Sequence, residues 1–398
     1  MASALALLAG LSLAGWLYLV FAHARFWLAD QRLEGAGGAP ERWPSVVALV
    51  PARDEADVIE RSLGSLLEQD YPGPFRIVLV DDESADGTGV AAQRLIAAHP
   101  RGDRAGLESA APRPEGWVGK MWALQCGMRR AEREVPDAEY WLLTDADVLH
   151  SPGNLRRLVG KALSERLDLV SLMVRLCVER GWERLLIPAF AYFFQKLYPF
   201  AAVNDPGRRT AGAAGGCVLV RRAALARSGG LEALRGEIID DCALGRAVKR
   251  VGPIWLGLTR SERSIRPYGG LRGVWRMVAR SAFTQLRHSP WLLAGTVSGL
   301  AVLYLVPPLL ALTTPLHGDA VAGLLAATAW LTMALSFAPT LALYDRPAWW
   351  GLALPVAGLL YTGMTLDSAR CHRRAEGALW KGRRGAGSGS ASGPCTRS

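Results

Sequence analysis

Apolar positions in this chain follow two patterns, unbroken runs toward its ends and short blocks that stop at acidic residues in its middle. The run from Ala2 to Ala22 carries no charge and is about long enough to cross a bilayer. It has no basic residue directly after Met1 and no small-residue cleavage site, which favours a retained anchor over a removed signal peptide. After Pro290 come three more apolar blocks: Trp291 to Leu312, Val321 to Leu343, and the shorter Trp349 to Leu366, which begins beside Asp345, Arg346 and Pro347. Together they predict an N-terminal transmembrane anchor over 1–28 and a C-terminal membrane region of about three helices over 290–368. From Gly382 the chain turns glycine- and serine-rich, so 369–398 reads as a basic, disordered tail.

Between the anchors, 43–289 reads as one domain. Ser45 to Val50 is a buried strand, and Asp57 to Gln69 is a helix with Val58, Leu63, Leu66 and Leu67 on its inner side. The turn Tyr71-Pro72-Gly73-Pro74 follows, then a strand from Arg76 to Val80, which makes a parallel βαβ unit. A helix from Lys120 to about Glu134 and strands at Tyr140 to Thr144 and Asp168 to Val174 extend the sheet, with Asn154 to Ser164 helical between them.

Three of these strands run straight into polar residues, as VVALVPARDE, IVLVDDES and YWLLTDAD. Strand exits in an open α/β sheet gather at one edge, so Glu55, Asp81, Asp82, Asp145 and Asp147 are expected around one crevice. Carboxylates brought together need a cation, a proton or hydrogen-bond donors. Asp145-Ala146-Asp147 could hold a hard divalent cation with phosphate oxygens completing its shell, although a surface turn or helix cap uses the same residues. Asp81-Asp82-Glu83-Ser84 suits either a base or ribose contact or a helix cap. Asp240-Asp241 suits a general base or a dipole-favoured helix start.

Charge sharpens the picture. The net charge of +10 is concentrated beside the apolar blocks and in the tail, where attraction to anionic lipid heads accounts for it at roughly 1 kcal/mol per residue, so no nucleic-acid partner is expected. Arg25 and Arg32 after the first block and Arg272, Arg276, Arg280 and Arg287 before the second predict that the region between them faces the cytoplasm from the inner membrane. Four crossings would put the tail outside, against its own arginines. Six cysteines show neither metal-ligand nor disulfide spacing, and none of the six histidines pairs at ligand spacing.

Val50-Pro51-Ala52-Arg53-Asp54-Glu55, Val80-Asp81-Asp82-Glu83-Ser84, Thr144-Asp145-Ala146-Asp147, Gly215-Gly216-Cys217 and Asp240-Asp241, in this order over Ser45 to Gly252, resemble the family 2 glycosyltransferases. With Gly116-Trp117-Val118-Gly119-Lys120, Asn204-Asp205-Pro206 and the apolar C-terminal region, the pattern looks most like the hopanoid-associated members. The resemblance implies a GT-A nucleotide-diphospho-sugar transferase fold, α/β with a Rossmann-like mixed sheet. It also implies an inverting transfer to a membrane lipid acceptor with a divalent metal, Mg or Mn. Pro51, Arg53 and Glu55 would border the nucleotide, Asp81 or Asp82 would contact base or ribose, and Asp145 and Asp147 would hold ribose and the metal-bound diphosphate. Asp241 would be the base, with Asp240 standing where the family has Glu, so the base lies between these two.

The Gln-x-x-Arg-Trp element of processive relatives is absent, and only Arg280 of Met277-Val278-Ala279-Arg280-Ser281 fits it. Polymer synthesis is therefore discounted, and Arg280 is either a diphosphate contact or an interfacial anchor. Lys120 reaches the donor phosphates or sits solvated in a first helical turn. The aromatic stretch Trp182 to Val203 reads as an interfacial helix guiding a lipid to the site, with a buried core helix as the alternative. Two rival functions are transfer to a polyprenyl phosphate, whose anionic acceptor needs no strong base, and a non-catalytic scaffold that binds nucleotide sugars.

Overall fold

The computed structural model describes residues 3–33, 40–179 and 181–373, with the backbone of a short strand pair, Leu379–Trp380 and Arg383–Arg384. The rest of the expected tail lies outside the described residues, and its first part, as far as Arg373, completes a helix.

Eight strands form one mixed sheet in the order β3-β2-β1-β4-β7-β6-β8-β5. They are β1 (Val46–Ala52), β2 (Phe75–Asp81), β3 (Ala105–Ser109), β4 (Tyr140–Thr144), β5 (Val148–Leu149), β6 (Leu169–Arg175), β7 (Cys217–Arg221) and β8 (Ile254–Ser264). β1 pairs parallel with β2 and β4, and β2 with β3. β7 runs antiparallel between β4 and β6, and β5 antiparallel to β8.

β1 is buried along its whole length, as a central strand covered on both faces must be. Its alternation divides the core. Val46, Ala48 and Val50 pack with Ile59, Leu63 and Leu66 of the helix Ala56–Leu67. Val47 and Leu49 turn the other way, onto the helix Gly119–Glu134. Pro51 lacks an N–H and is tolerated here because β1 pairs with β4 only as far as Leu49↔Leu143.

The second core layer continues without a break into the apolar helices: Trp16, Tyr304, Phe337 and Tyr361 belong to the same cluster as Val47 and Leu49. Among the described residues three helices are long and apolar enough to cross a membrane, Ala4–Phe21, Pro290–Leu312 and Ala320–Leu343. The fourth apolar block differs from expectation. It starts as a 3-10 turn at Ala348–Ala353 and continues as Leu354–Arg373, whose Asp367 accepts a hydrogen bond from Trp275 Nε1 at 2.8 Å, so its later turns carry charge and pack on protein.

The aromatic stretch also differs. The helix Glu183–Leu197 is a buried bridge between sheet domain and apolar helices. Tyr192 shares a hydrogen bond with Ser336 at 2.6 Å and stacks edge-on with Phe337, Gln195 donates to Thr340 at 3.1 Å, and Tyr361 donates to the Leu186 carbonyl at 2.9 Å. Polar groups satisfied on both sides of a helix mark a core element, and so the core alternative holds over the interfacial one.

Candidate active site

Five chain segments meet where the parallel strands end. Pro51 at the end of β1, Thr144 and Asp145 at the end of β4, Lys120 and Met121 at the start of Gly119–Glu134, and Gly215 before β7 line one cavity with Asp240, Asp241 and Leu244. Residues far apart in sequence converge because parallel strands present their C-terminal ends on one edge and helices start there.

Lys120 is the centre of this cavity's electrostatics. Its ammonium lies 2.7 Å from Asp145 Oδ1 and 3.7 Å from Asp240 Oδ2. Burial opposes its charge, but Asp145 and Asp240 outweigh it and hold the lysine above its ordinary range. Asp241 sits in the first turn of Asp240–Lys249 and accepts backbone N–H groups from Gly215 (3.0 Å, to Oδ2) and Cys242 (2.7 Å, to Oδ1). Burial and then the neighbouring Asp240 push its carboxyl up to about 6, against the pull of Lys120 and the two N–H donors. A carboxylate fixed by two donors and tuned toward neutrality can take a proton.

Asp147 has a different neighbourhood. Ser264 Oγ donates to its Oδ2 at 2.7 Å, and Arg266 Nε lies 3.6 Å from the same oxygen. Burial and then Asp145 raise its pKa. Arg266 pairs as well with Glu55, which is 8% exposed at the end of β1. Arg53 pairs with the carboxylate of Asp82 (3.5 Å) and with its carbonyl. Asp82 is buried, whereas Asp81 turns to the backbone and hydroxyl of Ser84 and shapes its own loop. Between the two, Asp82 is therefore the one joined to Arg53. Arg280 is exposed at the end of Leu271–Ala279, near enough to Tyr268 for its charge to act on the phenol.

Behind the Asp145-Ala146-Asp147 turn, Thr144 Oγ1 donates to the Gly216 carbonyl at 2.8 Å and bonds His150 Nε2 at 2.9 Å, while His150 Nδ1 bonds Asn154 at 2.9 Å. Burial drops His150 to about 4, so it is a neutral structural link at ordinary pH. Ser264 and Arg266 are the site residues that sequence reasoning missed. Their signal was the basic, polar run Arg260 to Arg266 at the end of β8, which no motif isolates.

Among the described residues no group of three or more His, Cys, Asp and Glu side chains forms a metal-binding cluster. Asp145 and Asp147 still offer the hard oxygen donors a divalent cation prefers, and two carboxylates suffice when a diphosphate supplies further ligands.

A mixed α/β sheet whose acid-tipped strands surround a lysine at its C-terminal edge defines a group-transfer enzyme of the GT-A-like class. Residues 47–229 match the glycosyl transferase family 2 profile. The chain carries a family 2 glycosyltransferase domain and is a glycosyltransferase. No curated protein sequence matches it. Among solved structures, the mannosyltransferase PcManGT from Pyrobaculum calidifontis, in complex with GDP-Man and Mn2+, is similar over 92% of this chain and 99% of that one, at 24% identity and a TM-score of 0.57. TarS 1-349 of S. aureus in complex with UDP-GlcNAc aligns over 83% of this chain and 92% of its own, at 13% identity and a TM-score of 0.40.

Proposed function

We propose that this glycosyltransferase moves a sugar, with inversion, from a nucleotide-diphosphate sugar to a hydroxyl of a membrane lipid. The observation that carries this reading is Asp241, poised at about 6 in the cavity that also holds Lys120 and Asp145. The family domain supports the donor class, as does the GDP-Man complex of the similar Pyrobaculum protein.

In this account Pro51, Arg53 with Asp82, and Glu55 border the nucleoside. Lys120 faces the diphosphate, and Arg280, outside the cavity lining, would be a further diphosphate contact. Asp145 and Asp147 would hold Mg or Mn, whose positive charge would stabilise the departing nucleotide diphosphate. Asp241 accepts the acceptor hydroxyl's proton as that oxygen attacks the anomeric carbon, and Asp240 keeps its pKa raised. Lys120, already paired with Asp145, offsets negative charge gathering on the leaving side.

Three apolar helices, and exposed Leu7, Leu11, Trp291, Leu324 and Leu331 on them, support a membrane location, with the domain facing the cytoplasm by its flanking arginines. Residues 1–28 and 290–368 are the proposed membrane parts and 43–289 the catalytic domain. The acceptor we test first is a hopanoid-type lipid, on the sequence pattern given above. A tuned base favours a hydroxyl acceptor over a polyprenyl phosphate, which arrives already deprotonated.

The test is transfer from a panel of radiolabelled nucleotide sugars into organic-extractable product, using detergent-solubilised full-length protein, hopanoid or total membrane lipid, and Mg or Mn. The reading expects label in lipid from one donor. Label only in water-soluble product would refute the lipid acceptor, and bound donor without turnover would favour a scaffold.

A further inference from the structure

We propose that Arg266 is a displaceable counter-cation of the donor site: it bridges Glu55 and Asp147 until a divalent cation takes its place. This rests on the reading of Asp145 and Asp147 as that cation's ligands.

The placement of Arg266 is built in. β5 pairs with β8 through Val148↔Ser264 and Leu149↔Arg263, and the Ile265 N–H donates to the Asp147 carbonyl at 2.9 Å. That register carries residues 264–266 alongside Asp145-Ala146-Asp147. The guanidinium then meets two carboxylates from different strand ends, Glu55 beyond β1 and Asp147 beyond β4. Buried Glu55 and half-buried Asp147 facing one crevice repel each other, and one cation between them relieves this.

A guanidinium only donates hydrogen bonds and cannot ligate a metal. A divalent cation on Asp147 would face a like charge within a few ångströms, so Arg266 has to withdraw when it arrives. The chain after Arg266 holds two glycines whose conformation other residues rarely adopt. Gly269 and Gly270 both have positive φ, 69° and 86°, and a Cβ on either would meet nothing within 4 Å. These glycines therefore serve backbone freedom and not close packing. The far end is anchored, since the Gly270 N–H donates to Glu183 Oε1 at 3.0 Å and the other Glu183 oxygen accepts the Glu179 N–H at 2.9 Å. Glu183 is 2% exposed. The segment is thereby held at Ser264 and at Gly270, and a withdrawal of Arg266 needs to involve only the residues between them.

The consequence is coupled uptake. A cation arriving alone must expel Arg266 with no new partner for the guanidinium, whereas a cation arriving with a diphosphate supplies one. Arg266 thus suppresses empty metal loading and favours the donor–metal pair.

The test is Mn2+ binding without nucleotide, read from the free-ion EPR signal, on detergent-solubilised full-length protein. Wild type is compared with Arg266→Ala, Arg266→Gln, Arg266→Lys and Asp147→Asn, each first shown to elute as wild type on gel filtration. The proposal expects Arg266→Ala and Arg266→Gln to bind Mn2+ about tenfold more tightly or better, Arg266→Lys to stay near wild type, and Asp147→Asn to erase the gain when combined with Arg266→Ala. Unchanged or weaker Mn2+ binding in Arg266→Ala and Arg266→Gln, with Asp147→Asn still lowering affinity in wild type, overturns the counter-cation and leaves the metal site standing. Mn2+ binding indifferent to Asp147→Asn in every background overturns the metal reading itself.

Discussion

Asp241 and Lys120 act on one another, and the pH dependence of the enzyme should reveal it. If Asp241 is the base, as proposed, transfer requires it deprotonated, and kcat/KM should rise with pH through about 6 with a slope of one and then level off. Lys120 lowers the Asp241 pKa, so Lys120→Met should move that limb to higher pH and also raise the KM for donor; an unmoved limb would deny the coupling. The same shift has a stability sign. The folded pKa lies above the unfolded value near about 3.9, so Asp241's contribution is complete below that value and is lost as pH rises through about 6. Thermal melts of wild type should therefore fall across this window, and by less in Asp241→Asn. Asp241 was visible in the sequence as an acid at a helix start, but its tuning was not, because that depends on Gly215, which lies 26 residues earlier and reaches it only through the fold.

At the scale of elements, β4 and β7 set the site. Thr144↔Cys217 is their last pair, and the Thr144 hydroxyl ties Gly216 to the start of the Asp145 turn. A Cβ on Gly216 would come to 2.8 Å from Val174 Cγ2, a buried side chain of β6 with no room to yield. Gly216→Ala should cost about 1–3 kcal/mol of stability in a melt and slow transfer by displacing Asp145; a neutral substitution would contradict this packing. β1, β2 and β4 were legible because each is an apolar block ended by acids, and β4 and the helix Asn154–Ser164 have the boundaries their sequences predict. β3 was not, since AGLES is short, edge-placed and only half-buried, with no apolar alternation to read. The polar end of β8, which brings Ser264 and Arg266 to Asp147, hid for a related reason: its functional contacts are made by pairing with the two-residue strand β5. Glu183–Leu197 was read by its aromatics as interfacial, yet aromatic composition alone cannot separate a headgroup layer from a core packed with Tyr304, Phe337 and Tyr361.

Over the whole molecule, one apolar core runs from the sheet into the helices at both chain ends, and so the catalytic domain is not an independent unit. Leu186, Ile187, Tyr192 and the Gln195 amide all spend their contacts on this junction. Residues 43–289 produced alone should aggregate or elute as large soluble assemblies on gel filtration unless detergent is present; a well-behaved monomer in plain buffer would refute a shared core. Continuity also supports the proposed lipid acceptor, because the chain segment carrying Arg266 leads directly into Leu271–Ala279, which packs on Leu354–Arg373 through Trp275 and Asp367. The most direct test of the whole account is single-turnover transfer by Asp241→Asn, with donor affinity measured on the same sample. The account predicts a loss of about 10²–10⁴-fold in rate with donor affinity within a few-fold of wild type. Transfer at near wild-type rate would contradict it, by removing the base on which the assignment of a hydroxyl acceptor depends.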